Sequence, residues 1–108
     1  MKKLPEDFGY LKEMYGDEYF PDFLVDRVRD SIRKVVGFLE EGGRSGEEIQ
    51  ESLDRMVEEI NELQDAFYEH DSEIETVARD SIATTVEAIL AYFDVDIDVE
   101  EALRGRDW

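Results

Sequence analysis

The chain has 108 residues, 42% hydrophobic and 39% charged, with a formal net charge of -18 and no cysteine. That length predicts one domain; the lack of cysteine excludes disulfides, thiolate metal sites and a cysteine nucleophile; and a field of one sign favours cationic partners and disfavours direct nucleic-acid binding. No apolar stretch follows Met1-Lys2-Lys3 and no run approaches the ~18 apolar residues of a membrane span, so a soluble cytoplasmic protein is expected.

The charge is lopsided. Residues 1–44 hold 10 acids and 8 bases, or -2, whereas residues 45–108 hold 20 acids and 4 bases, or -16. In the second half the acids alternate with apolar residues at helical spacing, which predicts a folded acidic surface and argues against a disordered tail.

Taken in chain order, a short helix is expected near 6–15, stopped by Gly16, in a segment that holds Phe8, Tyr10, Tyr15, Tyr19 and Phe20. Pro21 suits a first helical turn and opens a long helix over about 21–41, with Leu24, Val25, Val28, Ile32, Val35, Val36 and Leu39 facing inward and Gly42-Gly43 ending it. Ser45 with Glu48 reads as a capping box for a second long helix over about 46–69, whose Ile49, Leu53, Met56, Ile60, Leu63 and Phe67 form a heptad seam. Ser72 with Glu75 reads as another capping box, predicting a third long helix over about 73–92 with Ile74, Val77, Ala78, Ile82, Thr85, Ile89 and Tyr92 inward. The alternating run Phe93–Val99 is expected to be an extended connector, and Asp98 with Glu101 to cap a last short helix at 99–104. The fold class predicted is all-α: three long antiparallel helices with short helices near both ends.

The leading candidate site is the outer face of the second long helix. Its b, c and f heptad positions hold Glu47, Glu48, Glu51, Asp54, Glu58, Glu62, Asp65 and Glu69. Eight carboxylates span about 33 Å of helix axis, close to the phosphate spacing of one DNA strand. Such a face serves either solubility or the docking of a basic protein. Secondary interface candidates are Tyr10, Tyr15, Tyr19, Phe20 and Trp108, because aromatic side chains anchor interfaces; the alternative is that the aromatic segment caps the helical core.

Other patterns carry less. Asp94, Asp96, Asp98 and Glu100 imitate the opening of a calcium loop, but Val99 stands where that loop needs glycine and Gly105 where it needs glutamate. His70, Asp71 and Ser72 are consecutive, and consecutive side chains diverge too far for a catalytic relay. Phe67 stands three residues before the lone histidine, so a di-metal Glu-x-x-His motif is missing. Gly42–Gly46 lacks the spacing and lysine of a phosphate loop. Asp26–Asp30 and Arg79-Asp80 read as ion pairs beside apolar seams. No cofactor is expected.

Three stretches carry a resemblance: Tyr10–Asp17 followed by Tyr19-Phe20-Pro21, Asp71–Asp80, and Arg106-Asp107-Trp108. Together they resemble a family of small acidic bacterial proteins filed only as a domain of unknown function. The resemblance implies a bacterial single-domain protein and no particular chemistry. The function expected is therefore a non-enzymatic acidic interaction domain that meets a basic protein, with neutralisation of a toxin or nuclease, as by an immunity protein or antitoxin, as its most concrete form. The alternatives are a carboxylate-rich metal-binding protein or enzyme, and a small structural subunit or homodimer.

Overall fold

The computed structural model describes residues 2–108. Among them are five helices: α1 (Lys12–Tyr15), α2 (Asp22–Glu41), α3 (Gly46–Glu69), α4 (Thr76–Tyr92) and α5 (Val99–Ala102). No strand is present among the described residues, so the chain is all-α.

Contacts along the helices give their directions. Glu59 of α3 meets Ser31 and Lys34 of α2, and the ring of Phe23 at the start of α2 lies 4.9 Å from His70 at the end of α3. The two helices are therefore antiparallel. Leu4 N–H donates to Glu40 at the end of α2 while the Tyr92 hydroxyl at the end of α4 donates to the carbonyl of Lys3. These neighbouring bonds bring the C-terminal ends of α2 and α4 together, giving an up-down-up arrangement.

The heptad seam of α3 is buried except for Leu63, which is half-buried, and it meets Leu24, Val28, Ile32, Val35 and Val36 of α2 and Ala78, Ile82, Val86 and Ile89 of α4 in one core. The expected capping box at α3 is present: Ser45 N–H donates to Glu48 Oε1 at 3.0 Å and Glu48 N–H to Ser45 Oγ at 3.2 Å. Gly42, at φ 74°, ends α2 in a conformation that side chains disfavour.

Four local expectations are corrected. The N-terminal helix is only Lys12–Tyr15, and the residues before it cross the ends of α2 and α4 as irregular chain. The second capping box does not form, because residues 70–72 close α3 instead. Asp71 takes the left-handed conformation at φ 57°, Ser72 N–H donates to Phe67 O at 2.9 Å, and Asp71 N–H donates to Tyr68 O at 3.2 Å. This is a Schellman closure. It places Ser72 in the interior, and α4 starts at Thr76 with Glu75 as its cap, accepting from Val77 N–H. Val77, expected inward, is exposed in the first turn. Asp98 occupies the N-cap of α5 but makes no side-chain capping bond, and the helix ends at Ala102.

The same closure ends α4, with Asp94 at φ 56° and Val95 N–H donating to Leu90 O at 2.9 Å. Val95, Ile97 and Val99 then pack against the core while Asp96 and Asp98 face solvent. This explains the period-two pattern of an extended connector. Asp94 is a helix stop, and among the described residues no three acidic or histidine side chains gather to hold a metal. No described helix is long and apolar enough to cross a membrane.

Candidate functional site

The carboxylates of α3 divide into internal and free ones. Glu48 belongs to the capping box, and its bonds from the backbone and hydroxyl of Ser45 hold its carboxyl below the usual range. Asp54 is half-buried under the C-terminal segment. Arg104 donates to it from Nη2 at 2.9 Å and from Nε at 3.2 Å, and Gln50 donates at 3.0 Å. The Arg104 bonds, ahead of the Gln50 bond, depress the Asp54 carboxyl, while the same pairing raises Arg104.

The last ten residues are strapped along this flank of α3. Gln50 donates to Glu101 O, Asn61 donates to Gly105 O at 3.1 Å, and Asp107 N–H donates to Asn61 Oδ1 at 3.0 Å. These bonds seat Leu103 and Trp108 in the core.

The other six, Glu47, Glu51, Glu58, Glu62, Asp65 and Glu69, are exposed. None makes an ion pair among the described residues; the only cation inside α3, Arg55, pairs with none of them. They are spaced by three, four or seven residues, one or two helical turns, so they lie along one stripe.

The stripe runs toward an aromatic patch. Tyr19, Phe23 and Tyr68 are 43%, 47% and 57% exposed, unusually open for such large side chains. Phe23 stacks edge-on against His70, and Arg27 lies 6.0 Å above the Phe23 ring. Partial desolvation, then the charges of Glu73 and Glu75, push the Tyr19 phenol upward, which places that hydroxyl beside the α3–α4 turn. Of the aromatic candidates read from the sequence, only Tyr19 belongs to this patch. Phe20 and Trp108 are core side chains, and Tyr10 and Tyr15 are half-buried elsewhere. Phe23 and Tyr68 were missed because each stands next to an apolar seam position, Leu24 or Phe67, and carries no charge pattern of its own.

A second feature, also missed, lies between the N-terminal segment and α2. It is a cleft of about 690 Å³ lined by Lys3, Phe8, Tyr10, Tyr15, Arg29, Arg33, Gly37 and Glu40, among others. Asp26 accepts from the Tyr15 hydroxyl; burial and then this bond push that phenol up to about 12. Burial also raises Tyr10, opposed by the charge of Arg33. Arg29 does form the ion pairs expected beside Asp26 and Asp30, both at 3.6 Å. Arg79 and Asp80 form none among the described residues; Arg79 donates instead to Thr76.

The fold and this surface define a small helical domain with an acidic stripe along the exposed face of α3. The chain belongs to the family of unknown function DUF5713, whose pattern it matches over residues 5–108. No curated protein and no solved structure matches it.

Proposed function

We propose that this protein is a non-enzymatic interaction domain that docks a basic protein on the exposed face of α3, with the aromatic patch at the end of that helix as its anchor. The observation that carries the reading is the juxtaposition of two surfaces. Six carboxylates with no ion pair among the described residues lead along α3 to Tyr68, which lies near Tyr19, and to His70, against which the exposed Phe23 packs. Charge alone serves solubility equally well, but exposed aromatics add nothing to solubility. They supply the desolvated contacts that dominate interface energies, while the surrounding charge sets association rate and partner choice.

The carboxylate pairing inside the molecule supports the same division. Asp54 and Glu48 are used in holding the fold, whereas the six stripe acids make no ion pair among the described residues. Like charges at i, i+4, such as Glu58 and Glu62, each cost the helix about 0.2–0.5 kcal/mol. In this reading the protein is cytoplasmic and bacterial, and capping a cationic toxin or nuclease is the most concrete role.

The test is affinity capture from the native cell with wild type, with Glu51, Glu58 and Glu62 all changed to Lys, and with Tyr68→Ala. A lysine- and arginine-rich protein retained by wild type and lost by both variants is the expected result. The same proteins retained by all three would overturn the reading.

A further inference from the structure

We propose that the cleft between the N-terminal segment and α2 binds a small organic oxyanion, a phosphate or carboxylate carried on an aromatic ring. This goes beyond the docking reading: it concerns another face, where three cations gather in an otherwise acidic chain.

In a chain with 30 acids and 12 bases, the three cations Lys3, Arg29 and Arg33 line one cleft. Of the two acids that line it, Glu6 and Glu40, the second already accepts Leu4 N–H at 3.0 Å. Arg33 is exposed and makes no ion pair among the described residues. Arg29 is the more telling group. Its Nε is buried without a hydrogen-bond partner, and its terminal nitrogens sit 3.6 Å from Asp26 and Asp30. Those separations exceed ordinary hydrogen-bond length. A guanidinium with unused donors, next to a second that is unpaired, is suited to the two oxygens of a carboxylate or phosphate.

The walls account for the ring. Phe8 and Tyr10 pack edge-on at 5.0 Å and line the cleft together with Tyr15. The floor includes Gly37, in the middle of α2, and a Cβ added there would meet nothing within 4 Å. No packing demand explains a glycine inside this helix. What its missing side chain does provide is room in the cleft. The volume, about 690 Å³, is in the range of small-molecule sites. The acidic field of the whole protein is screened beyond ~8 Å at physiological salt, and among the side chains that line the cleft the cations outnumber the acids, with Asp26 and Asp30 standing outside the lining against Arg29.

The test is a ¹⁵N–¹H NMR titration of the full chain with phenyl phosphate and with benzoate, and in parallel with inorganic phosphate and with phenol. Saturable shifts confined to Tyr10, Tyr15, Arg33 and Gly37 are expected with at least one aromatic anion, and about tenfold weaker binding of inorganic phosphate and phenol. Arg33→Gln and Gly37→Leu should each weaken the aromatic anion by about tenfold, while Arg27→Gln, outside the cleft, should not. Gly37→Leu replaces a poor helix former, so its loss of binding is separable from unfolding by a thermal melt. No saturable shift with either aromatic anion, equal binding of phenol, equal binding of inorganic phosphate, or binding unchanged in both cleft variants would overturn the proposal.

Discussion

Arg104 grips both carboxylate oxygens of Asp54, at 2.9 and 3.2 Å, and so joins the last turn of the chain to the middle of α3. This one contact separates an acid that builds the fold from its neighbours that face solvent. Asp54→Asn and Arg104→Gln should each lower the melting temperature by a few degrees and increase hydrogen exchange over residues 99–108, a modest effect because the pair is part-exposed and screened. The pH dependence follows from the sign of the shift. The folded-state pKa of Asp54 is depressed, so its contribution is present above the unfolded value of about 3.9 and is lost as pH falls through the lower folded value. The gap between wild type and Asp54→Asn should be full at neutral pH and close only in the acid range below about 4.

Asp71 carries a double burden. It sits at φ 57°, where side chains are disfavoured, and it puts a negative charge at the C-terminal end of α3. Asp71→Gly should raise stability by about 1 kcal/mol, read by chemical denaturation. Asp94 has the same conformation but is offset by Lys2, 3.5 Å away, so Asp94→Gly should gain less.

The tyrosines offer a check on the cleft. Tyr15, held up to about 12 by burial and by its bond to Asp26, should ionise after exposed tyrosines in an ultraviolet titration. The latest-titrating step should vanish in Tyr15→Phe. Because the folded pKa lies above the unfolded value of about 10, the stability Tyr15 contributes is complete below that pH and is lost between about 10 and 12.

The stripe should cost stability. Glu58 has Glu62 one turn away, while Asp54 on the other side is paired with Arg104, so Glu58→Gln should stabilise the protein by about 0.2–0.5 kcal/mol at low salt. The gain should shrink as salt is added. A loss of stability would mean that Glu58 has a structural role.

The long helices were legible in the sequence because period and caps agreed: the α3 seam and the Ser45–Glu48 box are both as read. The second box misled because Ser72-Glu73-Ile74-Glu75 has the right residues at the right spacing, yet Phe67 O and Tyr68 O needed donors to close α3, and Asp71 and Ser72 supply them. The stripe was visible from heptad arithmetic, but the withdrawal of Asp54 was not, since its partner Arg104 lies 50 residues away. For the same reason the cleft was invisible. It brings Lys3, Tyr10 and Tyr15 against Arg29 and Arg33 through chain with no periodic signal, and Arg29 looked fully occupied by Asp26 and Asp30. Phe20 follows the alternative reading of the aromatic segment, a cap on the core; Trp108 read as an interface candidate because nothing in a terminal residue announces the hydrogen bond from Asp107 to Asn61 that presses it inward.

The most direct test of the acidic face is the association rate of the captured basic partner as a function of ionic strength. Electrostatic steering makes that rate fall steeply with salt. Wild type should show this fall, and the protein with Glu51, Glu58 and Glu62 changed to Lys should associate slowly with little or no such fall. The same rate and the same salt dependence for both proteins would contradict docking on α3.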